Sequence, residues 1–330
     1  MRFRLSVASG LLAMSASLLP AQNGPGGAPA NPSCTGLGGD ACQQGVDFFK
    51  YMAPQLGTAM TGGNTTLGQG GTLGGPRFGI IPRFAIGVRV NAVMGNVPNY
   101  NPVAGPPVAS TLTTENIYLP LPAVDVALGV FKGFPLALSN VGGVDILVSG
   151  AYVPKYSNDD ISIEPDNSLA FGYGARIGLL QESLVVPGIG VSYFIRKFPV
   201  TTLIATTTVP TTSTITMRDL DLQSNAWRLT LNKNLLLFGI AAGVGQDTYK
   251  ASTTITSTIL GAPAPITVPD LESNVTRTNY FADVTMNLFL LKIVATGGMV
   301  SGGDITTYNA YDNAADKSRF YGSVGVRFGL

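Results

Sequence analysis

The chain of 330 residues is poor in charge: only 12% are Asp, Glu, Lys or Arg, and the formal net charge is +1. Soluble domains usually carry about 25% charged residues, and mean hydropathy here is positive, at +0.28. Near-neutrality leaves no footprint for nucleic acid. The sequence contains no histidine, which removes Ser-His triads, histidine general bases and HExxH zinc sites.

At the N-terminus, Arg2 and Arg4 precede an apolar run from Leu5 to Leu19, followed by Pro20 and Ala21. A basic start, a short apolar run and a small residue read as a cleaved export signal over residues 1–21. The run is too short for a spanning helix, which needs about 20 apolar residues. Residues 22–45 are rich in Gly, Pro and Asn and read as a flexible lead-in. Cys34 and Cys42 lie within it, and in an exported chain they are expected to close a small disulfide loop. Over residues 46–60, Phe49, Met52, Leu56 and Met60 fall near helical spacing, while Pro54 should interrupt or kink a helix. The expectation is a short amphipathic segment, then a glycine-rich hinge over residues 61–76. The whole of 22–76 is expected to lie in the periplasm or to plug a lumen.

From Arg77 the pattern changes to period two. In Arg83–Met94, Phe84, Ile86, Val88, Val90, Ala92 and Met94 alternate with Arg83, Ala85, Gly87, Arg89, Asn91 and Val93. Successive strand side chains point to opposite faces, so this strand has one apolar face and one polar or small face. It is also long enough to cross a bilayer, which takes about 9–11 tilted residues. The signature recurs, and the segments number ten: near 78–95, 119–131, 143–154, 167–181, 187–208, 211–231, 235–258, 266–289, 292–301 and 318–330. Tight turns are expected at Asn232–Asn234 and near Leu290–Lys292, with long Thr-rich hairpins at the opposite end. Without a helical span, a membrane location requires a closed barrel. The fold class is therefore all-β: an antiparallel up-and-down transmembrane β-barrel of about ten strands, within a range of eight to fourteen. It occupies residues 77–330, and the even count places both chain ends on the periplasmic side.

Two resemblances sharpen this reading. The last stretch, Ser318 to Leu330, puts Phe320, Val324, Val326, Phe328 and Leu330 on one parity and Arg319, Tyr321, Ser323, Gly325 and Arg327 on the other. It resembles the final strand of bacterial outer-membrane barrels, although Leu330 stands where Phe or Trp is usual. That resemblance implies recognition by the barrel-assembly machinery and outer-membrane lipids as surroundings. The second rests on Tyr51-Met52-Ala53-Pro54 with Thr61-Gly62-Gly63-Asn64, and on Leu119-Pro120-Leu121-Pro122 followed by alternating Gly-rich strands up to Phe194. Over roughly residues 46–200 the chain resembles a group of outer-membrane barrels related to the FadL-like long-chain fatty-acid transporters. This implies passive uptake or binding of small hydrophobic or anionic solutes; no site residue carries over.

On the inward parity stand Arg83, Arg89, Arg176, Arg196, Arg228, Arg277, Arg319 and Arg327, against Asp125, Asp145 and Asp283. One reading is an electropositive lumen that favours anions or carboxylates. The other is a polar network filling a narrow barrel, favoured because buried charges must be paired or wetted. The acidic residues Asp159, Asp160, Glu164 and Asp166 lack EF-hand spacing and read as a solvated turn rather than a calcium site. Tyr152, Tyr173, Tyr193, Trp227 and Tyr280 are candidates for interfacial girdles. Gly172-Tyr173-Gly174 and Gly188-Ile189-Gly190 lie inside strand patterns and read as small lumen-facing positions, not nucleotide loops. No catalytic residue, cofactor or metal is assigned, and the expectation is a non-enzymatic protein of a Gram-negative-type outer membrane. A structural or surface-display barrel with a plugged lumen is the alternative to uptake.

Overall fold

The computed structural model describes residues 23–75, 82–136, 138–157, 161–208 and 211–329. The expected export signal over 1–21, Arg77, Asp159, Asp160 and Leu330 lie outside the described residues. Eleven strands build the wall: β1 (Arg83–Pro98), β2 (Thr114–Phe131), β3 (Gly143–Tyr152), β4 (Leu169–Leu180), β5 (Gly188–Lys197), β6 (Thr201–Thr207), β7 (Ser213–Leu235), β8 (Phe238–Ile259), β9 (Ile266–Leu288), β10 (Leu291–Ser301) and β11 (Arg319–Gly329). Ten of these, all but β6, pair antiparallel with two ring neighbours in a meander, and β7 takes β6 as a third. β1 bonds β11, and β5 bonds β7, which closes a ring of ten. The strand expected over 187–208 is two pieces. The chain breaks at Phe198–Val200, and β6 resumes along β7 while turning its other edge to a short strand at Ile161–Pro165. Closure leaves no unpaired sheet edge in hydrocarbon.

Alternation sets the two faces. Val88, Val90, Met94, Phe171, Val284 and Val324 are exposed on the outside, while Arg89, Asn91, Asp283, Ser323 and Arg327 are buried inside. The apolar parity packs against no second sheet; it is the outer surface of the barrel. The Leu119–Pro122 run is part of β2, where Pro120 and Pro122 face β1 in register with Ala92 and Val90. Pairing with β3 begins only at Ala123. The prolines thus occupy a stretch with one neighbour, where a missing donor is tolerated.

Three local expectations are corrected. The turn between β7 and β8 is at Leu236–Leu237, with Leu236 at φ 29°, not at Asn232–Asn234, which continue β7. The turn between β9 and β10 is at Phe289–Leu290. In place of a short segment kinked at Pro54, an uninterrupted helix α1 (Gly39–Thr61) contains Pro54 and has Cys42 in its first turns, so residues 39–45 are helical rather than a flexible lead-in. Burial explains it: every residue of α1 except Lys50 and Leu56 is buried, and tertiary packing outweighs the proline penalty.

The chain passes through its own barrel. Gly26 and Ala28 bond to Thr307 and Tyr308 at the long-loop end. The helix then descends through the lumen. Residues 62–75 continue to the tight-turn end, where Leu73 meets Arg83 at the start of β1. The barrel's own ends, Arg83 and Gly329, share the turn end as an even count requires. The N-terminal segment does not, because it enters from the loop side.

Candidate functional site

The interior divides at about Gly62. Above it, Phe48, Phe49, Met52 and the Cys34–Cys42 disulfide join Ile215, Leu222, Ile255 and Val268 of the long strands in one apolar cluster. The two cysteine Cα atoms are 5.3 Å apart. Two helix carboxylates face the long loops. Asp40 accepts the N–H groups of Val103 and Val108. Asp47 accepts the N–H groups of Tyr308 and Asn309, and the side-chain amides of Asn309 and Gln43. Burial pushes the Asp47 carboxyl above its usual range, and these hydrogen bonds pull it back. The helix is therefore tied to the loops at 99–113 and 302–318 through its acidic side chains.

Below Gly62 the plug has no regular structure, so its N–H and C=O groups need partners elsewhere. The wall supplies them. Asp283 accepts Gly68 N–H and the Asn64 amide, each at 3.1 Å. The Asn232 amide oxygen accepts Gly70 N–H and Gly71 N–H. Asp145 accepts Leu73 N–H. Arg176 donates to Thr66 Oγ1 and Gln69 O, and Arg327 to Thr66 O at 2.6 Å. Two glycines are required by proximity: a Cβ at Gly190 would lie 2.3 Å from Gly70 O, and one at Gly129 would lie 2.1 Å from Gly74 O. This gives the G-x-G sequence of β5 a physical reason, namely close passage of the plug.

The inward arginines do not act as one set. Arg89, Arg176 and Arg228 form buried ion pairs with Asp125, Asp145 and Asp247, and Arg89 and Arg228 also hold the carbonyls of Gly62 and Thr61. Arg196 lies 4.1 Å from the centre of the Phe194 ring and donates to Thr65 Oγ1. Arg277 and Arg319 do not reach the plug's lower half. Arg277 donates to the carbonyls of Gly302, Asp316 and Lys317, and Arg319 to Asn96 and to the Tyr51 hydroxyl. Arg83 stands apart at the turn-end mouth. Asp125 and Asp283 are buried as well, so the set shares one interior, but it is dispersed among plug, loops and mouth rather than gathered in one charged constriction.

Sequence reasoning missed Asp247, which accepts from Arg228, Thr61, Tyr249 and Asn279. The signal was available: Asp247 lies on the parity opposite Ile240 and Val244. It also missed Asp47, Asn232 and Glu182, whose roles depend on which backbone passes them. Among the described residues no group of three or more Cys, Asp or Glu is placed to hold a metal ion.

On the outer surface Tyr152, Tyr173, Tyr193, Trp227 and Tyr280 are all exposed. Tyr193 pairs directly with Trp227 across β5 and β7. Gln246 stands opposite Trp227 and accepts its indole N–H, and loopward of that pair the exterior is polar at Gln223 and Lys250. The exposure of these aromatics and their mixed apolar and polar character are the chemistry of an interfacial belt.

Fold and interior together define a transmembrane β-barrel filled by its own N-terminal segment. No protein-family model matches the chain, and no functionally curated protein matches it. Solved structures with a similar chain course include Ail, the attachment invasion locus protein of Yersinia pestis, in complex with the heparin analogue sucrose octasulfate. That likeness has 8% identity and a TM-score of 0.25, covering 76% of this chain and 99% of that one. A mutant of TodX, a monoaromatic hydrocarbon channel, is 12% identical at a TM-score of 0.31, covering 76% of this chain and 67% of that one. The outer-membrane channel DcaP of Acinetobacter baumannii is 7% identical at a TM-score of 0.20, covering 78% and 100%.

Proposed function

We propose that this is a non-enzymatic outer-membrane barrel, closed at rest, that acts at the cell surface through its loop end rather than as an open pore. One observation carries the reading: the N-terminal segment occupies the lumen from the loop end to the turn end, inside a ring in which each strand bonds the next and the last bonds the first. The buried arginines are spent on plug and loop groups and on paired aspartates, so they support filling more than ion selection. The basic start and apolar run of residues 1–21 and the outward apolar band support an outer-membrane location, and the final strand is the segment the assembly machinery would read.

Planar-bilayer recording tests this. The full chain is expected to give no steady current, whereas deletion of residues 23–75 opens a conducting pore. A steady current through the intact protein overturns the closed reading.

A second reading, uptake of small hydrophobic or anionic solutes, is favoured by the composition of the lower plug. It is held by polar contacts, with Leu67 its fully buried large apolar side chain, so its release is less opposed than that of the helix. Uptake of a fatty acid or hydrophobic dye by a deletion strain separates the two. Reduced uptake supports the second reading, and unchanged uptake supports the first.

A further inference from the structure

The turn end of the barrel is apolar where water would ordinarily meet it. Leu236 is 97% exposed, Phe289 93% and Leu184 93%. Leu237, Phe134, Leu136 and Leu138 at the same end are exposed as well. Contiguous apolar patches of this kind mark an interaction surface. Here the patch is continuous with the outer face that already lies in hydrocarbon. Distance agrees. From the Trp227 belt to Leu236 the strand rises about 31 Å, which at the usual tilt is roughly 23 Å along the membrane normal, against an apolar band about 25 Å tall. The turns therefore reach the far boundary of the hydrocarbon, at the level of that leaflet's head groups.

At that level the mouth of the lumen is basic. A cavity of about 200 Å³ lies between the plug and the wall of β10, β11 and β1, and Arg83, Lys292 and Arg327 face it with Phe289 and Leu290 on its rim. None of the three cations has an ion-pair partner among the described residues. Arg83 Nε is buried without a hydrogen-bond partner among the described residues. The carboxylate nearby, Glu182, is taken up by Asn232 and Asn234 of β7. Arg83 and Arg327 each spend one guanidinium nitrogen on the plug, and three cations without an ion pair among the described residues, under an apolar lip, match a phosphate head group with acyl chains beside it.

We infer that this mouth binds the head group of an anionic phospholipid from the leaflet at the turn end, the phosphate on Arg83, Lys292 and Arg327 and the acyl chains over Phe289 and Leu290. The inference needs the barrel to stand in a membrane but does not depend on the lumen being closed. Such a lipid fixes the depth of the barrel and covers the apolar lip of Phe289 and Leu290.

The test uses the full chain, delipidated in detergent, and lipid retention read by native mass spectrometry, with heat-modifiable gel mobility as the check of folding. Phosphatidylglycerol is compared with phosphatidylcholine. The intact protein is expected to prefer phosphatidylglycerol by a factor that falls roughly thirtyfold in the double variant Arg83→Gln/Lys292→Gln, two basic contacts being lost. Lys197→Gln, at the loop end, leaves the preference unchanged. Where the double variant does not fold, Lys292→Met alone is read, with a smaller loss in the same direction. Equal retention of the two lipids by the intact protein, or an undiminished preference in the folded variant, overturns the site. If inorganic phosphate or oleate displaces phosphatidylglycerol at equal concentration, the assignment to a phospholipid is overturned.

Discussion

The two halves of the plug solve the same problem with opposite chemistry. The helix half satisfies its backbone internally and is free to bury Phe49, Val46 and Tyr51 against an apolar wall. The glycine half has no internal ladder, so the wall opposite it is built of Asp145, Asn232, Asp283, Arg176 and Arg327. The lesson is that an irregular chain enclosed by a barrel dictates a polar lumen, whereas an enclosed helix permits an apolar one. Burial of charge below Gly62 is thus a consequence of backbone need. It also makes that half the more conditional of the two, since removing one partner leaves another stranded.

The comparison breaks hardest at Arg228. Arg228→Ala leaves Asp247 buried without its cation, at an expected cost of about 3–5 kcal/mol, read as a lowered urea midpoint in lipid vesicles. Removing Asp247 as well should recover part of the loss. If the double variant is no better than the single one, the ion pair is not what sets the cost.

Phe49→Ala tests the apolar half. Its side chain is 2% exposed, and truncation there should cost about 3–4 kcal/mol with no change in bilayer current. Current in this variant would mean that the helix alone seals the lumen. Next in size is the disulfide. Cys34 and Cys42 are separated by 8 residues, so replacing both with Ser should cost about 2.5 kcal/mol by loop-closure entropy; an unchanged midpoint in the oxidised and reduced protein would remove the cystine from the account.

Asp283→Ala strands Gly68 N–H and the Asn64 amide and should cost about 1–3 kcal/mol. Brief openings in single-channel records are the sharper readout, because they report the glycine half separately from the helix. The smallest effect belongs to Lys197→Ala, which removes an exposed ion pair with Asp221 at 3.1 Å. Less than about 1 kcal/mol is expected, and a larger loss would show that the exterior polar collar is more than a membrane boundary.

Much of the architecture was legible because a barrel strand writes its two environments into alternate residues. The parity of Arg83–Met94 and of the closing strand named which side chains meet lipid and which turn inward, and the even strand count followed. Turns were harder. Leu236–Leu237 and Phe289–Leu290 carry none of the usual turn residues, so Asn232–Asn234 attracted the assignment that belonged three residues on.

What the sequence determined by itself was the face of each side chain, since period two is a local property of an extended backbone. What only the tertiary structure decided was the content of the lumen. Helix α1 runs through Pro54 because the enclosing wall buries it. Asp47 and Asp283 find their partners in segments more than two hundred residues away, and the inward arginines are divided among plug, loop and mouth by where the N-terminal segment threads. Those pairings are long-range contacts inside a closed surface, and no local pattern encodes them.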